Sequence, residues 1–321
     1  MKFTYKNHLI KTIHTFLFPI AVYTGILLIT FILGESGYAS AGAFDRIIRN
    51  SVLSTIIAYA IALPLSGGRW DFTPGIIIIL SGILGSNIAI QMDMGPIFLL
   101  IITVAIAMLL SLIVGAIYLG LRVPTIIVSL GVVMIYEAIS GIVFNGSGAQ
   151  LYMYSDLTIF ARAPLVYVIL GVVMFFVYYL LTYTKFGYDT RALSINPRLA
   201  VNTGIQEKKN IMQTYLVVGI LLGVAGVLNA STVLVSPANN LISTALMFSS
   251  MGPVLIGLFL ARYSNMALGI FAGSLTMNAL SYGMVIIGIH PSMQTVVIGV
   301  FIVVFMGYAA KKDRNLEGQV A

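Results

Sequence analysis

Apolar stretches long enough to cross a bilayer follow one another along almost the whole chain, separated by short turns where glycine, proline and charge collect. An α-helix needs roughly 20 apolar residues to span the hydrocarbon core. Ten runs approach that length: 15–34, 51–65, 75–90, 96–120, 125–144, 164–184, 211–231, 241–260, 265–287 and 292–308. The pattern predicts an all-α polytopic membrane protein with about ten transmembrane helices, forming one transmembrane domain over residues 1–321. The second and third runs are short. Between them, 64–74 carries Gly67, Gly68, Arg69 and Asp71, which suits a turn that re-enters the membrane as well as one that leaves it.

Composition adds a reason to place the chain in lipid. It is 59% hydrophobic and 8% charged, with a mean hydropathy of +1.02, too little polar surface to solvate a soluble domain of 321 residues. Cysteine is absent, so disulfides, thiol nucleophiles and cysteine metal sites are excluded. His8, His14 and His290 are scattered, and no metal-ligand spacing occurs.

The formal charge of +7 follows the membrane rather than nucleic acid. Basic residues gather on the cytoplasmic side of membrane proteins. With the N-terminus inside, ten crossings put all 17 lysines and arginines there except Arg46, Arg49 and Arg162. Both termini are therefore expected in the cytoplasm, and the chain in a bacterial inner membrane. A basic arm, an apolar run and Ala39-Ser40-Ala41 also suit a cleaved leader, although the run is longer than a typical leader core.

The longest cytoplasmic segment, 185–210, runs Lys185-Phe-Gly-Tyr-Asp-Thr-Arg-Ala-Leu-Ser-Ile-Asn-Pro-Arg-Leu-Ala-Val-Asn-Thr-Gly-Ile205 before Gln206-Glu-Lys-Lys209. Asn196 is suited to cap a helix, Pro197 to its first position and Gly204 to a left-handed stop, predicting a short helix over 197–203. Such a helix between two spans suits docking to a cytosolic partner; an ordinary interfacial loop is the plainer alternative.

The segment resembles the cytoplasmic coupling segment of ribose-type ATP-binding-cassette (ABC) importer permeases. That pattern has an Arg-Ala or Tyr-Ala start, then Gly-x-Asn-x-x-Ala-Ala and a closing Ser-Gly-Ile. The chain matches at Arg191, Ala192, Asn196, Ala200, Gly204 and Ile205. Ser66-Gly-Gly-Arg-Trp-Asp71 is similar to the family's Ser-Gly-Gly-x-Asp-Leu-Ser segment, and Arg122-Val-Pro-Thr-Ile-Ile-Val-Ser-Leu-Gly131 to its basic-Val-Pro turn. The matches run in order from about Asn50 to the C-terminus. Departures are Gly252 to Arg262 in place of a Gly-Gly-Thr stretch, Phe-Thr-Pro after Asp71, and Glu137 where arginine is common.

The resemblance implies a type II ABC importer-like fold and a permease subunit that carries a sugar-like solute into the cytoplasm. Its implied partners are a cytosolic ABC ATPase, an extracytoplasmic solute-binding protein and a second permease subunit. No Gly-x-x-x-x-Gly-Lys-Ser/Thr phosphate loop occurs, so the ATPase is expected on another chain and no cofactor on this one. Coupling would fall to Arg191, Ala192, Asn196, Pro197, Ala200, Gly204 and Ile205. Asn87, Gln91 and Glu137 would face the pathway or the binding protein.

Gly219, Gly223 and Gly226, and likewise Gly269 and Gly273, recur at spacings that let helix backbones approach closely within one subunit or across a dimer seam. Glu137, the one acid well inside a predicted span, either faces a polar pathway, pairs with a basic group or binds a proton or cation. Asp71 is expected to make a local salt bridge or to cap the third helix. Alternatives are a branched-chain amino-acid or nucleoside permease, and an ion-coupled secondary transporter acting through Glu137. A membrane enzyme would need a catalytic constellation, and none is readable.

Overall fold

The computed structural model describes the backbone of residues 2–121 and 123–317 and the side chains of residues 12–121 and 123–311. Arg122 and the side chains of Lys2, Lys6, Lys11, Lys312 and Arg314, all counted above toward cytoplasmic charge, lie outside the described residues. The described chain is helical, with one isolated β-bridge between Ala149 and Val235. Nine of its helices are long and apolar enough to cross a membrane. Two compact units divide it: Met1–Thr55 with Ser250–Ala321, and Ile56–Ser249.

The first unit holds α1 (Lys2–Ile32), the start of α2 (Ala41–Ser66), α11 (Met251–Leu260), α12 (Met266–Ile286) and α13 (Pro291–Glu317). α1 lies on α12, where Ile26 fills the space that a side chain at Gly283 would need. Tyr38, in a single 3₁₀ turn at Ser36–Ala39, is fully buried and donates to the Ala279 carbonyl at 3.1 Å. Burial pushes its phenol up, and Tyr23 adds to the shift. α11 meets α12 through glycine: a Cβ at Gly269 or Gly273 would strike the α11 backbone at Gly257.

The second unit holds the rest of α2, then α3 (Pro74–Gln91), α4 (Pro96–Leu121), α5 (Thr125–Ile142), α6 (Leu165–Tyr183), α7 (Lys185–Ile195), α8 (Pro197–Asn202), α9 (Glu207–Thr232) and α10 (Thr244–Ser249). α9 is its central helix, packed on α4 and α3. Gly219 and Gly223 bring it against the α4 backbone at Met108 and Val104, and Gly226 admits Ser81 and Thr103. Lipid offers helices little apolar drive to associate, so close backbone packing of this kind supplies contact that bulky residues would prevent. Ser111 Oγ reinforces the α4–α9 pair by donating to the Tyr215 carbonyl at 2.6 Å.

Two predicted spans take a different form. The run 241–260 is not one helix but α10 and α11, interrupted at Ser250. Pro253 lacks an N–H, and its ring clashes with the carbonyl four residues back, at Ser249, where α10 ends. The short run 51–65 belongs to a 26-residue α2 that begins at Ala41. Its polar first turns carry an exposed i,i+4 pair, Arg49 Nη2 to Asp45 Oδ2 at 2.8 Å, which suits helix.

Candidate functional site

The segment after α6 folds as two linked helices, of which the sequence pattern predicted only the second. Thr184 caps α7, its hydroxyl accepting from Gly187 N at 3.4 Å. Gly187 itself rests on the Leu181 backbone, where a Cβ would not fit. Arg191 reaches back along α7 and donates to the Leu181 carbonyl at 2.9 Å, with its guanidinium over the Tyr188 ring at 5.0 Å. Asn210, buried in the first turn of α9, donates to Thr190 Oγ1 at 2.9 Å and so ties α7 to the central helix. Thr190 and Asn210 lie outside the motif positions quoted above, which is why sequence reasoning passed over them.

α8 begins and ends on sequence-local chemistry. Asn196 Oδ1 accepts from Leu199 N at 3.1 Å, and Pro197 occupies the first position. Gly204 has φ +94, and the Ile205 and Gly204 amides donate to the Ala200 and Val201 carbonyls at 3.2 and 3.0 Å. This double closure is the Schellman stop. Ala192 is half-buried and Ala200 is buried, so Ala200 supports the segment from within and offers no contact surface. The exposed apolar side chains around α8 are instead Ile195, Leu199 and Val201. Beside it opens a cavity of about 370 Å³ with Lys185, Asp189, Gln206 and Lys209 on its walls.

Glu137 lies on α5, 3% exposed, and does not pair with a basic group among the described residues. Its carboxylate takes two backbone amides, Leu241 N at 2.8 Å on Oε2 and Ser243 N at 3.0 Å on Oε1. Those bonds satisfy a charge that no ion partner is needed to offset. They also hold Asn240 and Leu241 at φ 53 and 62, a left-handed conformation that side chains resist. Ser140, one turn on, accepts from Ala238 N at 3.2 Å. Glu137 and residues 237–241 line a cavity of about 300 Å³.

Asn87 is committed to the fold: its amide donates to the Ile83 and Gly148 carbonyls at 2.9 and 2.8 Å. Gln91, at the end of α3, is exposed. The expected salt bridge of Asp71 with Arg69 does not form. Asp71 Oδ1 instead accepts from both the amide and the hydroxyl of Thr73, at 2.9 and 2.7 Å, closing the turn that leads into α3. Both charged residues are nonetheless buried, Arg69 at 6% and Asp71 at 4% exposure, while Trp70 between them is exposed. Among the described residues no cluster of His, Cys, Asp and Glu could hold a metal ion.

Residues 43–306 match the family model described as branched-chain amino acid transport system / permease component. The chain is 25% identical to the galactose/methyl galactoside import permease protein of Escherichia coli (strain K12), over 89% of its own length and 93% of that protein's. It is 22% identical to the xylose/arabinose import permease protein of Sulfolobus acidocaldarius, over 95% and 88%. Against the ribose import permease protein of Escherichia coli (strain K12) the identity is 21%, over 84% and 85%. No solved structure matches.

Proposed function

The chain belongs to the branched-chain amino acid transport system / permease component family, and from that premise we propose that it is the membrane-spanning subunit of an ABC importer for a sugar-like solute. It is a multi-pass membrane protein and the permease part of the machine. ATP hydrolysis belongs to a cytosolic partner and delivery to an extracytoplasmic binding protein.

The observation that carries this reading is the α7–α8 unit. It is braced by Arg191, Thr184 and Asn210, closed at both ends of α8, and presents Ile195, Leu199 and Val201 outward from an otherwise polar segment. An isolated six-residue helix is not stable in water, so its bracing supports a role as a rigid lever. An ATPase that grips this knob and closes around ATP would move α7, and through Asn210 the central helix α9. The relatives' names, each a sugar import permease, support the solute class. A secondary transporter driven through Glu137 is disfavoured because both carboxylate oxygens are engaged by backbone amides.

The test is to extract the tagged chain in mild detergent, identify what copurifies by mass spectrometry and assay that material for ATP hydrolysis. A stoichiometric phosphate-loop ATPase is the expected result. A lone chain that transports without ATPase would overturn the assignment.

A further inference from the structure

We propose that the cavity beside α8 binds a phosphate ester that also carries a free hydroxyl, as the head group of phosphatidylglycerol does. The site depends on the chain lying in a membrane and not on what it transports.

The cavity, of about 370 Å³, has the size of a small-ligand site. Three segments wall it: the start of α7, the turn that follows α8, and the first turns of α9. From α9 and its cap come Gln206, Lys209, Asn210 and Gln213, whose helical spacing puts them on one face. From α7 come Lys185 and Asp189.

One atom of the wall calls for a ligand. Thr190 Oγ1 donates to the Phe186 carbonyl at 2.7 Å, so toward Asn210 it accepts, taking the Nδ2 amide at 2.9 Å. That sets the Asn210 amide one way round. Its Oδ1 is then an acceptor, buried and without a partner among the described residues. A buried polar atom left unpaired is costly, so a donor belongs beside it.

The charges on the same walls do not cancel one another. Lys185, Asp189 and Lys209 form no ion pair among the described residues. Two cations against one anion leave the walls net positive, and the first turn of α9 adds the positive end of a helix. An occupant therefore needs an anion for the lysines and a donor for Asp189 and Asn210 Oδ1. A phosphate ester with a neighbouring hydroxyl supplies both.

Position along the chain favours a lipid as its source. Lys185 follows closely on the span that ends at Tyr183, and Lys209 comes just before the apolar run that begins at Ile211. Basic groups at span ends lie level with phosphate head groups, and basic pockets between spans hold acidic lipids. A head group seated here would touch α7, the stop of α8 and α9 at once.

The full chain in mild detergent is titrated with phosphatidylglycerol, phosphatidylmethanol, phosphatidylethanolamine or sn-glycerol 3-phosphate, and bound ligand is read by native mass spectrometry. Phosphatidylmethanol carries the charge of phosphatidylglycerol without its head-group hydroxyls. Wild type is expected to hold phosphatidylglycerol about tenfold more tightly, the effect of a hydrogen bond to a charged acceptor. Lys185→Gln and Lys209→Gln should each weaken that binding about fivefold. Lys208→Gln removes the same charge from a residue that lines a different cavity, and should bind as wild type does. All three lysines are exposed, so each variant should melt at the wild-type temperature.

Phosphatidylglycerol bound with this pattern establishes the site and its lipid source. Glycerol 3-phosphate bound with the same pattern, and no lipid, establishes the site with a soluble source. Equal binding of phosphatidylglycerol and phosphatidylmethanol, or equal losses in all three variants, would reduce the site to diffuse surface charge and overturn it. Tighter binding of phosphatidylethanolamine, or binding of none of the four probes, would overturn it too.

Discussion

At Glu137 a carboxylate inside a membrane span is made tolerable by two backbone amides from a loop more than a hundred positions further along the chain. Glutamine at this position keeps one acceptor and turns an NH₂ toward the second amide. Glu137→Gln is expected to cost about 1–3 kcal/mol, the desolvation penalty of the amide left unpaired. A lower melting temperature in detergent checks this, and uptake at a temperature where the variant is folded should change only modestly. Asn196 is a simpler case, with one side-chain bond to Leu199 N on an exposed helix start. Asn196→Ala is expected to cost about 1 kcal/mol and to speed hydrogen exchange at the first amides of α8, leaving the spans as protected as before.

Among the helices, two glycines show how the same substitution can act on different levels of structure. A Cβ at Gly204 meets nothing within 4 Å, but its φ of +94 excludes β-branched residues. Gly204→Val is therefore expected to undo the stop of α8 at about 1–2 kcal/mol without lowering the amount of protein in the membrane. ATP hydrolysis should then continue with little uptake, measured as solute moved per ATP in proteoliposomes. Gly219 has ordinary helical φ but lies on the α4 backbone at Ala107 and Met108. Gly219→Leu forces those helices apart, a strain of about 3 kcal/mol or more, and should deplete the folded protein as judged by size-exclusion profile. If Gly204→Val transported normally, the lever role of α8 would be lost; if Gly219→Leu folded normally, α4 and α9 would not be packed as described.

The whole molecule has no cysteine, so single cysteines report its orientation on a clean background. Ser194 and Ser155 are both exposed, the first at the end of α7 and the second in the segment between α5 and α6. From the distribution of basic residues the first is expected in the cytoplasm and the second outside. Ser194→Cys should react with a membrane-impermeant maleimide only in inside-out vesicles, and Ser155→Cys only in intact cells. The reverse pattern would invert the chain and remove the α7–α8 unit from any cytosolic ATPase.

By itself the sequence determined the membrane class, most of the spans, the caps of α8 and the permease family. Each of these depends on neighbours within a few residues: apolar run length against bilayer thickness, a side-chain oxygen against the next turn's amides, a glycine at a left-handed position. Pro253, which separates α10 from α11, was visible too, but hydropathy averages over a proline and does not register a missing N–H. Tertiary structure alone decided the rest. It paired Glu137 with the amides of Leu241 and Ser243, bound Asn210 to Thr190, turned Ala200 inward and left Arg69 and Asp71 buried apart. Polar groups in a low-dielectric interior take whichever partner the packed helices bring within about 3 Å, and that distance is not set by any local run of residues.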